Sequence, residues 1–119
     1  MKAVYMSLTG QTVKFVDKLG IESHRLISDD DIYPIKENYI LILPTYNHEG
    51  SLELVEKFIN TQDNKSFLRG VVGSGNRNLF CISAKEIVKK YEVPLLHCFE
   101  FQGEARDVEI VRNEVEKLG

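Results

Sequence analysis

None of the apolar runs in this 119-residue chain is long enough to cross a bilayer, so no membrane partner is expected. The first apolar residues already belong to a strand pattern. That leaves no room for a basic and apolar secretory leader, and a cytoplasmic location is expected. Basic residues are too few and too scattered to form a stripe: fifteen against eighteen acidic ones, for a formal charge of −3. This excludes the electrostatic footprint of a nucleic-acid binder. The two cysteines, Cys81 and Cys98, are too far apart for a CxxC zinc or redox pair. Two unpaired thiols in a reducing compartment are the expectation, with Cys81 a buried inert cysteine and Cys98 a core residue of a strand. No tract of low complexity, repeat or linker interrupts the sequence. Residues 1–119 therefore read as a single domain, and 43% hydrophobic with 28% charged residues is the composition of an ordinary globule.

What is present is organised around residues 2–12. Ala3, Val4 and Met6 with Tyr5 read as a short buried strand, and Ser7-Leu-Thr-Gly-Gln-Thr12 turns it into a helix carrying Val13, Phe15, Val16 and Leu19. The first N–H groups of a helix lack internal partners and sit at the positive end of its dipole. Hydroxyls from Ser7, Thr9 and Thr12 around a pliant Gly10 can therefore wrap a phosphate. The same residues also suit a simple helix cap. The turn holds no Lys or Arg before Lys14, so a dianion there is expected to rest on neutral donors.

Further along, Gly20 stops the first helix and Glu22–Ile27 forms a polar edge strand. Ser28-Asp-Asp-Asp31 reads as capping and turn residues rather than a metal site. Tyr39-Ile-Leu-Ile-Leu43 does not alternate, which marks a strand covered on both faces. It feeds the polar loop Thr45-Tyr-Asn-His-Glu-Gly-Ser51, after which Leu54, Val55, Phe58 and Ile59 give a second helix. Leu68–Gly73 is a fourth strand leading into Ser74-Gly-Asn-Arg-Asn-Leu-Phe80. Ile82, Ile87, Val88 and Tyr91 mark a helix, Leu95–Phe101 a fifth strand, and Val108, Val111, Val115 and Leu118 a last helix. His97 shares a strand face with Leu95 and Phe99 and is expected to pack there; His24 is expected to be exposed.

Five strands alternating with four helices give an α/β doubly wound five-stranded parallel sheet, order 2-1-3-4-5, with helices on both faces. The loops after strands 1, 3 and 4 then share the carboxyl edge, where ligands of such sheets bind. The first loop offers donors for a phosphate. The others offer Tyr46, Leu79 and Phe80 as flat or apolar surfaces beside Asn47, Asn76 and Asn78, which suits a planar heterocycle joined to a phosphate, such as flavin mononucleotide (FMN). A phosphoacceptor domain would need acids where Ser7 and Pro44-Thr45 stand, and a dinucleotide site or triphosphatase loop would need glycine patterns that are absent. A cysteine phosphatase would need a thiol in the first loop.

Ser-x-Thr-Gly-Gln-Thr at 7–12, Pro-Thr-Tyr at 44–46, Arg-Gly-Val-Val-Gly-Ser-Gly-Asn-Arg-Asn at 69–78 and Val-Pro-Leu-Leu-His-Cys-Phe-Glu-Phe-Gln-Gly at 93–103 resemble the NrdI family of flavodoxin-like proteins. The resemblance covers essentially the whole chain. It implies an FMN protein that activates the radical-bearing small subunit of a class I ribonucleotide reductase. Reduced flavin would react with O2, and a superoxide-type oxidant would reach the subunit's manganese centre, or the partner would be a metal-free subunit; an unidentified electron donor would reduce the flavin. By the same resemblance Ser7, Thr9, Gly10, Gln11 and Thr12 hold the phosphate. Thr45, Tyr46, Asn47, His48, Glu49 and Gly50 lie along the ring edges, with Gly50 suited to a redox-linked peptide flip, and Ser74, Gly75, Asn76, Asn78, Leu79 and Phe80 cover the other side. No residue is assigned a catalytic role of its own, because the flavin carries the chemistry. A general one-electron flavodoxin, or a flavin-free binding module of the same fold, is the alternative.

Overall fold

The segment Tyr39–Leu43, here β3, is buried at all five positions, as its unbroken apolar run requires. The computed structural model describes residues 1–7, 10–45, 52–75 and 81–118. Around β3 stand β1 (Lys2–Tyr5), β2 (Ser23–Arg25), β4 (Leu68–Gly75) and β5 (Leu95–Glu100), all parallel, in the order β2-β1-β3-β4-β5. The helices are α1 (Gln11–Leu19), α2 (Glu53–Ile59), a single turn α3 (Asn64–Phe67), α4 (Ile82–Tyr91) and α5 (Ala105–Leu118).

Strand alternation divides the core in two. Ala3, Ile40, Ile42, Val72 and Phe99 face α1 and α5, meeting Phe15, Val16, Leu19, Val108 and Val111. Val4, Leu41, Leu43 and Val71 face α2 and α4, meeting Val55, Phe58, Ile59, Ala84 and Ile87. Phe15 of α1 stacks on Phe99 of β5 with ring centroids 3.9 Å apart. Burying one such ring contributes roughly 1.5–3 kcal/mol, so each face is fastened by its aromatic anchors. The resulting sheet has the expected strand order and helices on both faces.

Several local expectations change. Strand β2 is only Ser23–Arg25, shorter than Glu22–Ile27, because this polar edge pairs with β1 over three residues. Strand β5 stops at Glu100, since Phe101 takes a left-handed φ of 55° that breaks the ladder. Helix α3 has no periodic signal; its Asn64 is fully buried and bonds the Ile35 N–H and the carbonyls of Tyr33 and Phe58. Asp29–Asp31 form a 3-10 turn in which Ser28 and Asp31 cap reciprocally, as the turn reading expected. The Ser28 and Ile27 N–H groups hold the Asp31 carboxyl below the usual carboxylate range. His24 is half-buried rather than exposed: its Nε2 donates to the Asp31 carbonyl at 2.6 Å and its ring meets Tyr33 edge-on. Among the described residues no helix is long and apolar enough to cross a membrane.

Candidate functional site

Parallel pairing brings the carboxyl ends of β1, β3 and β4 side by side. Helix α1 begins with Gly10 at its N-cap, where φ is 87° and, among the described residues, no side-chain cap is made. That left-handed backbone suits glycine, and a Cβ there would meet nothing within 4 Å, so open space lies beside the first turn. Ser7 does not cap the helix itself; its Oγ accepts the Gly10 N–H at 3.1 Å and shapes the turn in front of it. Gln11 opens α1 half-buried, and Thr12 is fully buried one residue later. Among the described residues no side-chain cap occupies the first-turn amides of α1, an arrangement that favours an anion.

On the neighbouring strands Thr45 Oγ1 donates to the Ser74 carbonyl at 2.6 Å, tying the chain just beyond β3 to the end of β4. Ser74 is buried, and Gly75, half-buried, is the last residue of β4. Ser7, Gly10, Gln11, Thr12, Thr45, Ser74 and Gly75 thus gather along one sheet edge. Thr9, Tyr46, Asn47, His48, Glu49, Gly50, Asn76, Asn78, Leu79 and Phe80 lie outside the described residues.

The edge also receives a cation that the linear sequence concealed. Arg25, at the end of β2, is in register with Tyr5, and its Nη2 donates to the Ser7 carbonyl at 3.4 Å. Its Nε is buried without a hydrogen-bond partner among the described residues. A buried unpaired donor beside an uncapped helix start is a feature that a phosphate would complete. Arg25 thus places one charged group beside the neutral donors expected at this turn. Eighteen residues separate Arg25 from Ser7, and only the β1–β2 pairing reveals the proximity.

The cysteines overturn a second expectation. Cys81 and Cys98 are joined as a disulfide, with Cα atoms 6.1 Å apart, instead of remaining free thiols. Cys98 sits opposite Gly73 in the β4–β5 register, and the missing side chain of Gly73 makes room for Cys81: a Cβ there would stand 2.8 Å from its Sγ and 2.7 Å from Ala84 Cβ. His97, expected to pack on an apolar face, instead donates from Nε2 to Asp107 Oδ1 at 2.7 Å. Burial pushes the Asp107 carboxyl up, but the Glu104 N–H and His97 outweigh it and hold the group below its ordinary range. This pair borders a cleft at the end of β5 lined by Phe99, Phe101 and Arg106, one strand away from the three-loop edge.

Comparison with known proteins agrees with this architecture. The family model described as NrdI Flavodoxin like matches residues 3–113. Protein NrdI of Wigglesworthia glossinidia brevipalpis is 44% identical over 125 aligned positions, covering 97% of this chain and 88% of the relative. Protein NrdI of Brucella ovis is 36% identical over 122 positions, covering 96% and 90%. With the strand order, the carboxyl-edge turn and this full-length likeness in agreement, the chain belongs to the NrdI flavodoxin-like family.

Proposed function

We propose that this chain is an FMN-binding redox protein that activates the radical-bearing small subunit of a class I ribonucleotide reductase, in a cytoplasmic setting. Bound FMN would supply the one- and two-electron chemistry, and the chain's part is to hold and orient it. The observation that carries the reading is the start of α1: an uncapped helix N-terminus at a left-handed Gly10, with Arg25 aimed at the same turn. In this reading the α1 amides and the Ser7, Thr9 and Thr12 hydroxyls receive the phosphate, and Arg25 offsets its charge from β2. Thr45 and Ser74 fix the spacing of the strand ends between which the ring would lie. The finer claims, that electrons or a superoxide-type oxidant formed from O2 pass to the subunit and that a separate donor reduces the flavin, follow from the family resemblance.

The test is reconstitution with FMN, desalting and anaerobic reductive titration followed by visible absorption, then co-elution with the reductase small subunit. Retained flavin that reduces and reoxidises in O2, together with complex formation, is the expected result. Flavin lost in desalting would sink the cofactor assignment. Flavin retained without subunit binding would point instead to a general electron carrier.

A further inference from the structure

The geometry points to Cys81–Cys98 as a reversible thiol–disulfide pair that locks the start of α4 onto the edge strand and so sets how firmly the β4 end holds its ligand. The bond ties the start of α4 to β5, and Cys81 follows directly on residues 76–80, which connect the end of β4 at Gly75 to α4 in the chain. Cys81 has a left-handed backbone, φ 60° and ψ 24°, and is fully buried. A cysteine held in that conformation directly before a helix is fixed by its surroundings, and the covalent bond to β5 is the strongest of these. Gly73 adds the second independent feature: the sheet position opposite Cys98 carries no side chain, and the Cys81 sulfur takes up that space. The site is thus built at three positions, two supplying sulfur and one supplying room.

The environment favours exchange over permanence. Cys98 is half-buried on β5, the edge strand of the sheet, whereas Cys81 is completely enclosed. A dithiol reductant therefore attacks as thiolate at Cys98 Sγ. The S–S bond breaks, and Cys81 Sγ leaves with the electron pair at the N-terminal end of α4, where the helix dipole stabilises a thiolate. The second thiol of the reductant then displaces Cys98 from the mixed disulfide. Both protein sulfurs end as thiols, two electrons and two protons having been gained, and the reductant has become a disulfide. In the reverse direction a hydroperoxide is the oxidant: the Cys98 thiolate attacks the terminal peroxide oxygen, and the O–O bond breaks with its electron pair leaving on the alkoxide (hydroxide for hydrogen peroxide), which takes a proton from water. The Cys81 thiolate then displaces hydroxide from the sulfenic acid to close the bridge. Disulfides of reducing compartments are typically of this transient kind.

The effect on the ligand rests on the FMN reading, but the lock itself does not. The full chain is treated with hydrogen peroxide or dithiothreitol, unfolded, capped with N-ethylmaleimide and weighed intact. No adduct after peroxide and two after dithiothreitol are expected. Hydrogen exchange of the two native forms is then compared over residues 82–86, where the reduced form is expected to exchange at least ~3-fold faster because the helix start has lost its tether. FMN affinity is expected to fall by about 3- to 10-fold on reduction, and Cys98→Ser should show the weaker value under both treatments. Two adducts after peroxide overturn the proposal. So does equal exchange over residues 82–86 in the two forms, whatever the mass shows. If the lock opens as expected but FMN affinity does not change, the control of the ligand falls. Should FMN bind neither form, the cofactor assignment fails, and adduct count with exchange rate still decides the lock.

Discussion

The start of α1 and the start of α4 flank the same sheet edge, yet they are fixed by opposite means. The first is shaped by single hydrogen bonds, Gly10 N–H to Ser7 and Arg25 to the Ser7 carbonyl, around a glycine with space beside it. The second is fixed by covalent bonding and by contact so close that Gly73 has no room for a methyl group. A turn built from donors with spare capacity can take up an anion without rearranging. A junction built from steric fit keeps its shape and changes only when a bond does.

The strongest way to break this contrast is Gly73→Val. The added side chain must displace Cys81 Sγ and Ala84 Cβ, both under 3 Å from its Cβ, and overpacking of this kind costs ~1–3 kcal/mol or more. Urea unfolding should give that loss, and the disulfide should fail to form. Gly10→Ala adds a Cβ that meets none of the described residues within 4 Å, so its cost is the strain of a left-handed backbone, ~1–2 kcal/mol. It should cut FMN affinity far more than it lowers stability, which calorimetry and fluorescence titration together would separate. Equal losses at the two glycines would mean that the turn after β1 is as tightly packed as the junction.

A smaller effect is expected from Arg25→Gln. Removing one charge-assisted contact costs ~1–2 kcal/mol, about a ten-fold weaker FMN affinity, and the loss should shrink at high salt. An unchanged affinity would show that Arg25 serves only the Ser7 carbonyl. The smallest effect probes β5 from its other face. Asp107 titrates below its ordinary value when folded, so its contribution is fully present above the unfolded value of about 3.9 and is lost as pH falls through the lower folded value. Asp107→Asn should therefore lower the melting temperature at pH 7 by a few degrees, for ~1 kcal/mol, and the gap to the parent chain should close toward pH 3. A constant gap across that range would mean that the charge plays no part.

Much of the fold was legible because its signals are local. The unbroken run at 39–43 announces a central strand, and Phe15, Val16 and Leu19 announce a helix face. The carboxyl-edge turn could be read for the same reason, since Ser7, Gly10, Gln11 and Thr12 are neighbours in the chain. What escaped depends on register. Arg25 reaches Ser7 only because β2 pairs with β1, and Cys98 meets Cys81 only because Gly73 stands across from it. Asn64 escaped because its three bonds are all tertiary. The pairing of Cys98 with a glycine next to a helix-starting cysteine was the one available hint, and it needs the strand order before it can be used.

Gly73 also carries an evolutionary consequence. Its hydrogen atom occupies the space that any other residue would fill, so a relative with a larger side chain there has no room for the sulfur bridge. Glycine at 73 and the two cysteines should thus be inherited or discarded as a unit. Where drift replaces Cys81, its sulfur no longer competes for that space, and what still opposes a larger side chain at 73 is Ala84 Cβ, 2.7 Å from a Cβ there.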